Sequence, residues 1–262
     1  NLSGLLLEFE RNASVQGWTV HWAADAGAAR RIVLDILAEA PEGPVVKGKS
    51  MATEEIHLNA AIEAAGRRVV ETDLGEFVVQ IDHDMPSHIV TPIIHKTRQQ
   101  VGDSFSREGL GPHTTDPGEL AAQARAHLRE AFRTAAVGIS GVNFALVEEG
   151  AVVLVENEGN NRLSTTAPPI HIAVMGIEKL LPSARDLPVF LRLLAGSATG
   201  QAMTVYTHLI RGPRRSDEAD GPEQTHIILL DNGRSRILNS RQRSILRCIR
   251  CGACLNVCPV YR

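Results

Sequence analysis

Long apolar runs are what this chain lacks most plainly. Nowhere in its 262 residues do about eighteen consecutive apolar residues occur, so it offers no candidate for a helical membrane span. Excess charge is missing too. The 27 Lys and Arg against 30 Asp and Glu leave a net charge of −3 and a pI near 6.4, which gives no global reason to expect a nucleic-acid partner. No G-x-G-x-x-G follows a strand-like run, so the dinucleotide fingerprint is absent. Ser50 has no G-x-S-x-G elbow and no histidine placed by spacing, so a nucleophilic triad is unsupported. There is no internal repeat and no low-complexity tract. What remains is an ordinary apolar content of 44% on a length that suits one sizeable α/β domain with a short appendage.

Cysteine is scarce and then concentrated. All four cysteines fall in the run Cys248-Ile-Arg-Cys251-Gly-Ala-Cys254-Leu-Asn-Val-Cys258-Pro259, which has the C-x2-C-x2-C-x3-C-P spacing of bacterial ferredoxins. Disulfides across such short loops would be strained. Structural zinc usually has two C-x2-C pairs set a dozen or more residues apart. The spacing therefore predicts that Cys248, Cys251 and Cys254 serve one 4Fe–4S cluster. Cys258 then serves a second cluster, because the fourth cysteine of such a run ligates the other one. Gly252 and Ala253 are small enough to let backbone N–H groups approach cluster sulfur. No second cysteine group is present, and the chain opens at Asn1 directly in an apolar-periodic stretch (Leu2, Leu5, Leu6, Phe9). Residues 1–262 therefore read as part of something longer, with each cluster short of ligands. Thiolates kept as metal ligands suit a reducing, cytoplasmic setting. The nearby arginines (Arg211, Arg214, Arg215, Arg234, Arg236, Arg241, Arg243, Arg247, Arg250) read either as a solvated basic face or as a docking face for an acidic partner or a screen around an anionic cluster.

Strand-like and helix-like segments alternate, which predicts a mainly parallel sheet covered by helices. Strands are expected at Trp18–Trp22, Pro44–Val46, Arg68–Thr72, Phe77–Ile81, Val137–Gly141, Ile170–Met175, Met203–Ile210 and Thr225–Leu230. Asn143–Val147 and Val152–Glu156 read as a hairpin around Glu148-Glu149-Gly150. Helices are expected at 1–16, Ala26–Ala38, Ala52–Ala65, Ser87–Gln100, Leu187–Leu194 and Ser240–Arg247. Another runs from Asp116-Pro117, with proline at the first helical position, to about Thr134. Asn157–Thr166 reads as a polar loop. The division that follows is an α/β domain over 1–239 and the start of a ferredoxin-type segment over 240–262.

Lys47, Lys49 and Ser50 lie where a buried strand gives way to a helix, the place where open α/β sheets bind ligands. Two lysines and a hydroxyl there suit a carboxylate or phosphate, although a solvated basic turn has the same composition. Glu158, before Gly159 and Asn160, is either a general base projected into a cleft or a turn cap. His171 lies between apolar neighbours on a strand, as a catalytic group or a satisfied core histidine. Glu76, His95-Lys96 and, as a ligand-binding amide, Asn160 are further candidates whose mutual distance the sequence does not give.

Several of these stretches resemble a known family. Val46-Lys-Gly-Lys-Ser-Met-Ala-Thr-Glu-Glu-Ile56, Glu71-Thr-Asp-Leu-Gly-Glu76, Pro92-Ile-Ile-His-Lys-Thr-Arg98, Gly138-Ile-Ser-Gly-Val-Asn-Phe144, Glu156-Asn-Glu-Gly-Asn160 and Pro168-Pro-Ile-His-Ile172 resemble the lactate-utilisation (LUD) domain. With Arg247-Cys248-Ile-Arg-Cys251-Gly-Ala-Cys254 they resemble the iron–sulfur B-subunit branch of that family. The resemblance implies a fold like that of sugar-phosphate isomerases and CoA-transferases. It implies a part in oxidising L-lactate to pyruvate, with electrons passing through two 4Fe–4S clusters, and partners in the form of an A and a C subunit. One reading makes the chain an electron-transfer scaffold. The other makes the LUD domain itself the element that binds the small carboxylate. They are separated by whether the cleft around Lys49 and Glu158 is open and polar or filled.

Overall fold

The computed structural model describes residues 1–261. The chain opens with helix α1 (Leu2–Val15), capped by the Asn1 side chain, then strand β1 (Thr19–Ala23) and helix α2 (Ala26–Glu39), whose N-cap is Asp25. Strand β2 (Val45–Lys47) leads into α3 (Met51–Glu55) and α4 (Leu58–Ala64), then β3 (Val69–Glu71) and α5 (Leu74–Ile81). Helices α6 (Arg98–Arg107) and α7 (Pro117–Thr134) precede β4 (Val137–Gly141), the hairpin strands β5 (Phe144–Leu146) and β6 (Ala151–Glu156), helix α8 (Asn160–Thr166) and β7 (Ile170–Gly176). The rest comprises β8 (Leu180–Leu181), α9 (Leu187–Thr199), β9 (Tyr206–Ile210), β10 (Gln224–Leu230), α10 (Arg234–Leu238) and α11 (Ala253–Asn256).

Six strands form a sheet in the order β1-β10-β7-β4-β2-β3, and every adjacent pair is parallel. Helices cover both faces, so β7 is buried along its whole length and reads as an unbroken apolar run apart from His171. One face packs Ile172, Val174, Ile228 and Leu230 on Val33 and Leu37 of α2 and Ile62 of α4. The opposite face packs Ala173, Met175, Ile227 and Leu229 on Phe9 and Ala13 of α1. Each such aliphatic side chain, taken fully out of water, contributes about 1.5–3 kcal/mol. A smaller sheet, β8-β5-β6-β9, rises beside the first and packs Phe144, Leu146 and Val153 on Leu194 of α9.

Most expected elements are present, including the hairpin, whose strands pair antiparallel with Ala145 opposite Val152. Five expectations are corrected. Ala52–Ala65 is not one helix but two, α3 and α4, broken at His57, whose left-handed backbone (φ +50°) redirects the chain. Phe77–Ile81 is helical, within α5: Phe77 and Val78 face the core beside Phe105, while Gln80 turns back to bond the Val69 carbonyl and the Glu71 N–H. Ser87–Gln100 is not one helix. Its first part is a series of turns in which His88 Nδ1 accepts the Val90 and Thr91 N–H groups, and α6 starts only after a Thr97/Gln100 capping box. Asn157–Thr166 contains α8, which Glu156 starts by accepting the Asn161 and Arg162 N–H groups at 2.8 and 2.9 Å. In Ser240–Arg247 only a 3-10 turn forms, at Arg243–Arg247.

Candidate functional site

From β2 the chain moves outward to β3, whereas from β4 it moves the other way, to β7 and β10. The strand order therefore reverses between β2 and β4. Two adjacent connections leave the sheet in opposite directions there and open a crevice at the carboxyl ends of the strands. The loops at that point are Gly48-Lys49-Ser50 and Gly141-Val142-Asn143, with the Ser50 side chain seated directly on Gly141. The crevice is a cleft of about 280 Å³. Its polar lining includes Lys49, Ser50, Asp73, Glu156, Glu158, Asn160, Asn161, Glu178, Lys179, Arg234 and Arg250.

The two lysines of the loop have different fates. Lys47 points into the protein: it is 2% exposed, its Nζ stands 2.8 Å from Glu71 Oε1 on the neighbouring strand, and Thr53 Oγ1 lies 3.3 Å away. Asn59 also donates to Glu71, at 2.7 Å. Lys47 thus holds β2 to β3 and does not reach the cleft. Lys49 does reach it, and its Nζ pairs with Glu76 while its backbone N–H donates to Asp73 Oδ2 at 2.6 Å. Ser50 caps α3.

Glu158 Oε2 accepts the N–H of Leu74 at 3.0 Å, so it caps α5 from across the cleft and stands beside Asp73. Burial pushes the Asp73 carboxyl up to about 7, with the Glu158 and Glu71 charges adding to the effect and the Lys49 N–H opposing it. Asn160 donates to Thr72 Oγ1 at 3.3 Å, while Asn160 Oδ1 and Asn161 Oδ1 are buried without a partner among the described residues. His171 lies elsewhere. It is fully buried, edge-on to Trp18 and hydrogen-bonded through Nε2 to Ser140 Oγ at 2.8 Å. Burial, then the nearby His226, push it down to about 3, which makes it a neutral core histidine. His95 is also outside the cleft, on a surface turn between Ser87 and Asp84.

Sequence reasoning missed Asp73, Glu156, Asn161, Glu178, Lys179 and Arg234. The strand-end rule that pointed to Lys47–Ser50 applies equally to Asp73 after β3 and to Glu178-Lys179 after β7. Arg234 ties this end together. It meets Glu55 with two contacts of 2.9 Å and Glu178 with one of 2.6 Å.

The cysteine-bearing segment lies across the mouth of the same cleft. Ile249 and Arg250 line it, and Ile249 and Cys251 pack against the Phe144–Leu194 cluster. Gly252, at φ +76°, sits where a β-carbon would press on Val90 and His88, and the Tyr261 hydroxyl donates to the Ser87 carbonyl. All four cysteines are free thiols, and Cys248 Sγ accepts the Arg250 N–H at 3.4 Å. Thiol donors that attract backbone N–H groups fit an iron–sulfur group in chemistry. Among the described residues, no three His, Cys, Asp or Glu side chains converge as a preformed metal cage. No described helix is long and apolar enough to cross a membrane.

Comparison with known proteins gives a consistent picture. Lactate utilization protein B of Bacillus licheniformis is 48% identical over 264 residues, spanning 100% of this chain and 55% of that protein. The proteins of the same name from Bacillus subtilis and Anoxybacillus flavithermus are each 46% identical over 263 residues, spanning 100% of this chain and 55% and 56% of theirs. The chain thus spans about half the length of the curated relatives it matches. Among solved structures, a DUF162 family protein from Deinococcus radiodurans superposes with a TM-score of 0.49 at 12% identity, over 88% of this chain and 98% of that one. The family model of the LUD domain matches residues 6–230, from α1 through β10 and so across both sheets, and the chain belongs to the LUD-domain family.

Proposed function

We propose that this chain is the LUD-domain part of an iron–sulfur protein of lactate utilisation, in which the cleft takes a small carboxylate beside the electron-transfer segment. The observation that carries this reading is that Ile249 and Arg250, between the first cysteines, line the same cleft as Lys49, Asp73 and Glu158. The cleft is open and polar, which favours a ligand-binding LUD domain over a passive scaffold. The name shared by the curated relatives supports lactate as the substrate. Oxidising L-lactate to pyruvate releases two electrons and two protons. Cys248, Cys251 and Cys254 are suited to hold one 4Fe–4S cluster and Cys258 to serve a second, with the remaining ligands outside this stretch. Clusters held by these cysteines would supply two one-electron acceptors, one for each electron released. Asp73, titrating near neutrality, is the group suited to receive the hydroxyl proton, and the Glu158 carboxylate beside it the proton from C2. The proposed setting is a cytoplasmic complex with A and C subunits.

The test is anaerobic reconstitution of the full-length protein with EPR, with and without L-lactate and its partner subunits. Two cluster signals are expected, with reduction on adding lactate to the assembled complex. Cys258→Ser should remove one cluster and spare the other. Full occupancy of both clusters in that variant would falsify the ligand assignment, and clusters that stay oxidised with lactate and all partners present would overturn the substrate.

A further inference from the structure

The cleft is electrically lopsided. Around Lys49 its lining carries Asp73, Glu156 and Glu158, and Lys49 is itself paired with Glu76. Across from them the lining carries three cations, Lys179, Arg234 and Arg250, against Glu178. These three do not stand alike. Arg234 is committed, with its guanidinium divided between Glu55 and Glu178. Arg250 touches Glu55 only at 4.0 Å, beyond hydrogen-bonding reach. Its backbone, at φ +63°, holds a left-handed conformation that costs a non-glycine residue energy. Lys179 makes no ion pair and no hydrogen bond among the described residues, although it is half-buried and lines the cleft. The carboxylate that acts on it, Glu178, is already engaged by Arg234, so the half-buried Lys179 side chain faces the cavity without a directly paired anion, an unmet demand that a ligand's carboxylate can fill. The anion must be small, because the cleft holds about 280 Å³.

We infer that Lys179 and Arg250 form the carboxylate-binding end of the cleft, gripping a short 2-hydroxy acid between the end of β7 and the cysteine-bearing segment. This rests on the reading of the cleft as a small-carboxylate site and names the residues that recognise the ligand's charge. Because Arg250 lies between Cys248 and Cys251, the same contact joins ligand to cysteine segment. Were the two cations only a screen for thiolate charge, their loss would leave affinity for an anion in the cleft unaltered.

The probe is 2-hydroxyisobutyrate, which carries the carboxylate and hydroxyl of lactate but no hydrogen on C2 and so binds without being oxidised. Its neutral counterpart is 2-hydroxyisobutyramide, which differs only in the charged group. Calorimetric titration of the full-length, anaerobically reconstituted protein should show binding of the acid and at least about tenfold weaker binding of the amide, since a charge-assisted contact is lost. Lys179→Met and Arg250→Gln should each weaken the acid about tenfold or more, with the amide little affected, and Lys179→Arg should restore most of the affinity. Equal binding of acid and amide by the wild type, or unaltered affinity in Lys179→Met, overturns the inference. Lactate-driven cluster reduction is read separately by EPR. Charge-dependent binding without reduction sinks the lactate-oxidation reading alone, and reduction with charge-independent binding sinks this one alone.

Discussion

Asn161 Oδ1 lies so close over Gly48 that a β-carbon built on that glycine would overlap it. The floor of the cleft, where the loop after β2 meets the start of α8, therefore has no room for any side chain. Gly48→Ala should cost about 1–3 kcal/mol through overpacking, read as a lower midpoint in urea unfolding. Removing the obstructing side chain as well, in Gly48→Ala with Asn161→Ala, should recover part of that loss. An additive double variant would show that the two residues do not meet.

The buried Lys47–Glu71 pair makes a contrasting prediction. Burial alone would lower the Lys47 ammonium, but the Glu71 carboxylate beside it, with Glu54 and Glu76 adding, holds it above its usual value. Lys47→Met leaves Glu71 buried and unpaired and should cost about 3–5 kcal/mol. Lys47→Met with Glu71→Gln should cost clearly less, since a neutral amide oxygen can still accept from Asn59. Equilibrium unfolding of the four proteins of this cycle gives the coupling directly.

Asp73 gives the cleft a pH signature. Its folded carboxyl titrates near 7, against an ordinary 3.8. Between those values the folded state holds a proton that the unfolded chain has released, so this group's contribution is present at low pH and is lost as pH rises through 7. Asp73→Asn should therefore flatten the fall in stability between pH 4 and 7, by about 2 kcal/mol once the cleft's water is allowed for. Chemical unfolding at a series of pH values measures it, and parallel curves for the two proteins would rule out the raised value.

The histidines act in the opposite sense on the acid side. Burial pushes His171 down to about 3 and His226 down to about 4, from an ordinary 6.5. Below pH 6.5 the unfolded chain takes up protons that the folded one refuses, so stability falls with pH across this window, by about 1.4 kcal/mol per pH unit for each fully titrating group. Replacing His171 by Leu, together with Ser140→Ala so that no hydroxyl is stranded, should reduce that slope by close to one proton. A slope unaltered by the replacement would mean that His171 is charged in the fold.

What the sequence disclosed follows from how local each signal was. Asp116-Pro117 opened a helix because capping and a fixed φ act within one turn, and the Glu148-Glu149-Gly150 hairpin was legible for the same reason. Phe77–Ile81 was misread because five residues with four apolar side chains satisfy a strand and a buried helix equally, and only the core around Phe105 decides between them. The strand-end rule located Lys49 and Ser50 but could not separate Lys49 from Lys47. Two residues apart, they diverge because Glu71 waits on the neighbouring strand for one and Glu76 on α5 for the other. Lys179, Arg234 and Arg250 are scattered over more than seventy positions. Only the folding of β7, α10 and the cysteine segment to the carboxyl-end side of the sheet makes them a group.

Gly138 has a counterpart to the opening observation: a β-carbon there would run into the Ser164 carbonyl, so α8 rests directly on the backbone of β4. Backbone lying on backbone leaves nothing to yield, and this wall of the cleft is set before any guest arrives. The opposite wall is the cysteine segment, held by side-chain contacts such as Ile249 and Tyr261. A hydroxy acid too long for the cleft's roughly 280 Å³ then gains room most readily by lifting the cysteines off the mouth of the cleft. Selectivity for chain length and the seating of the electron-transfer segment thus become one property, tuned together.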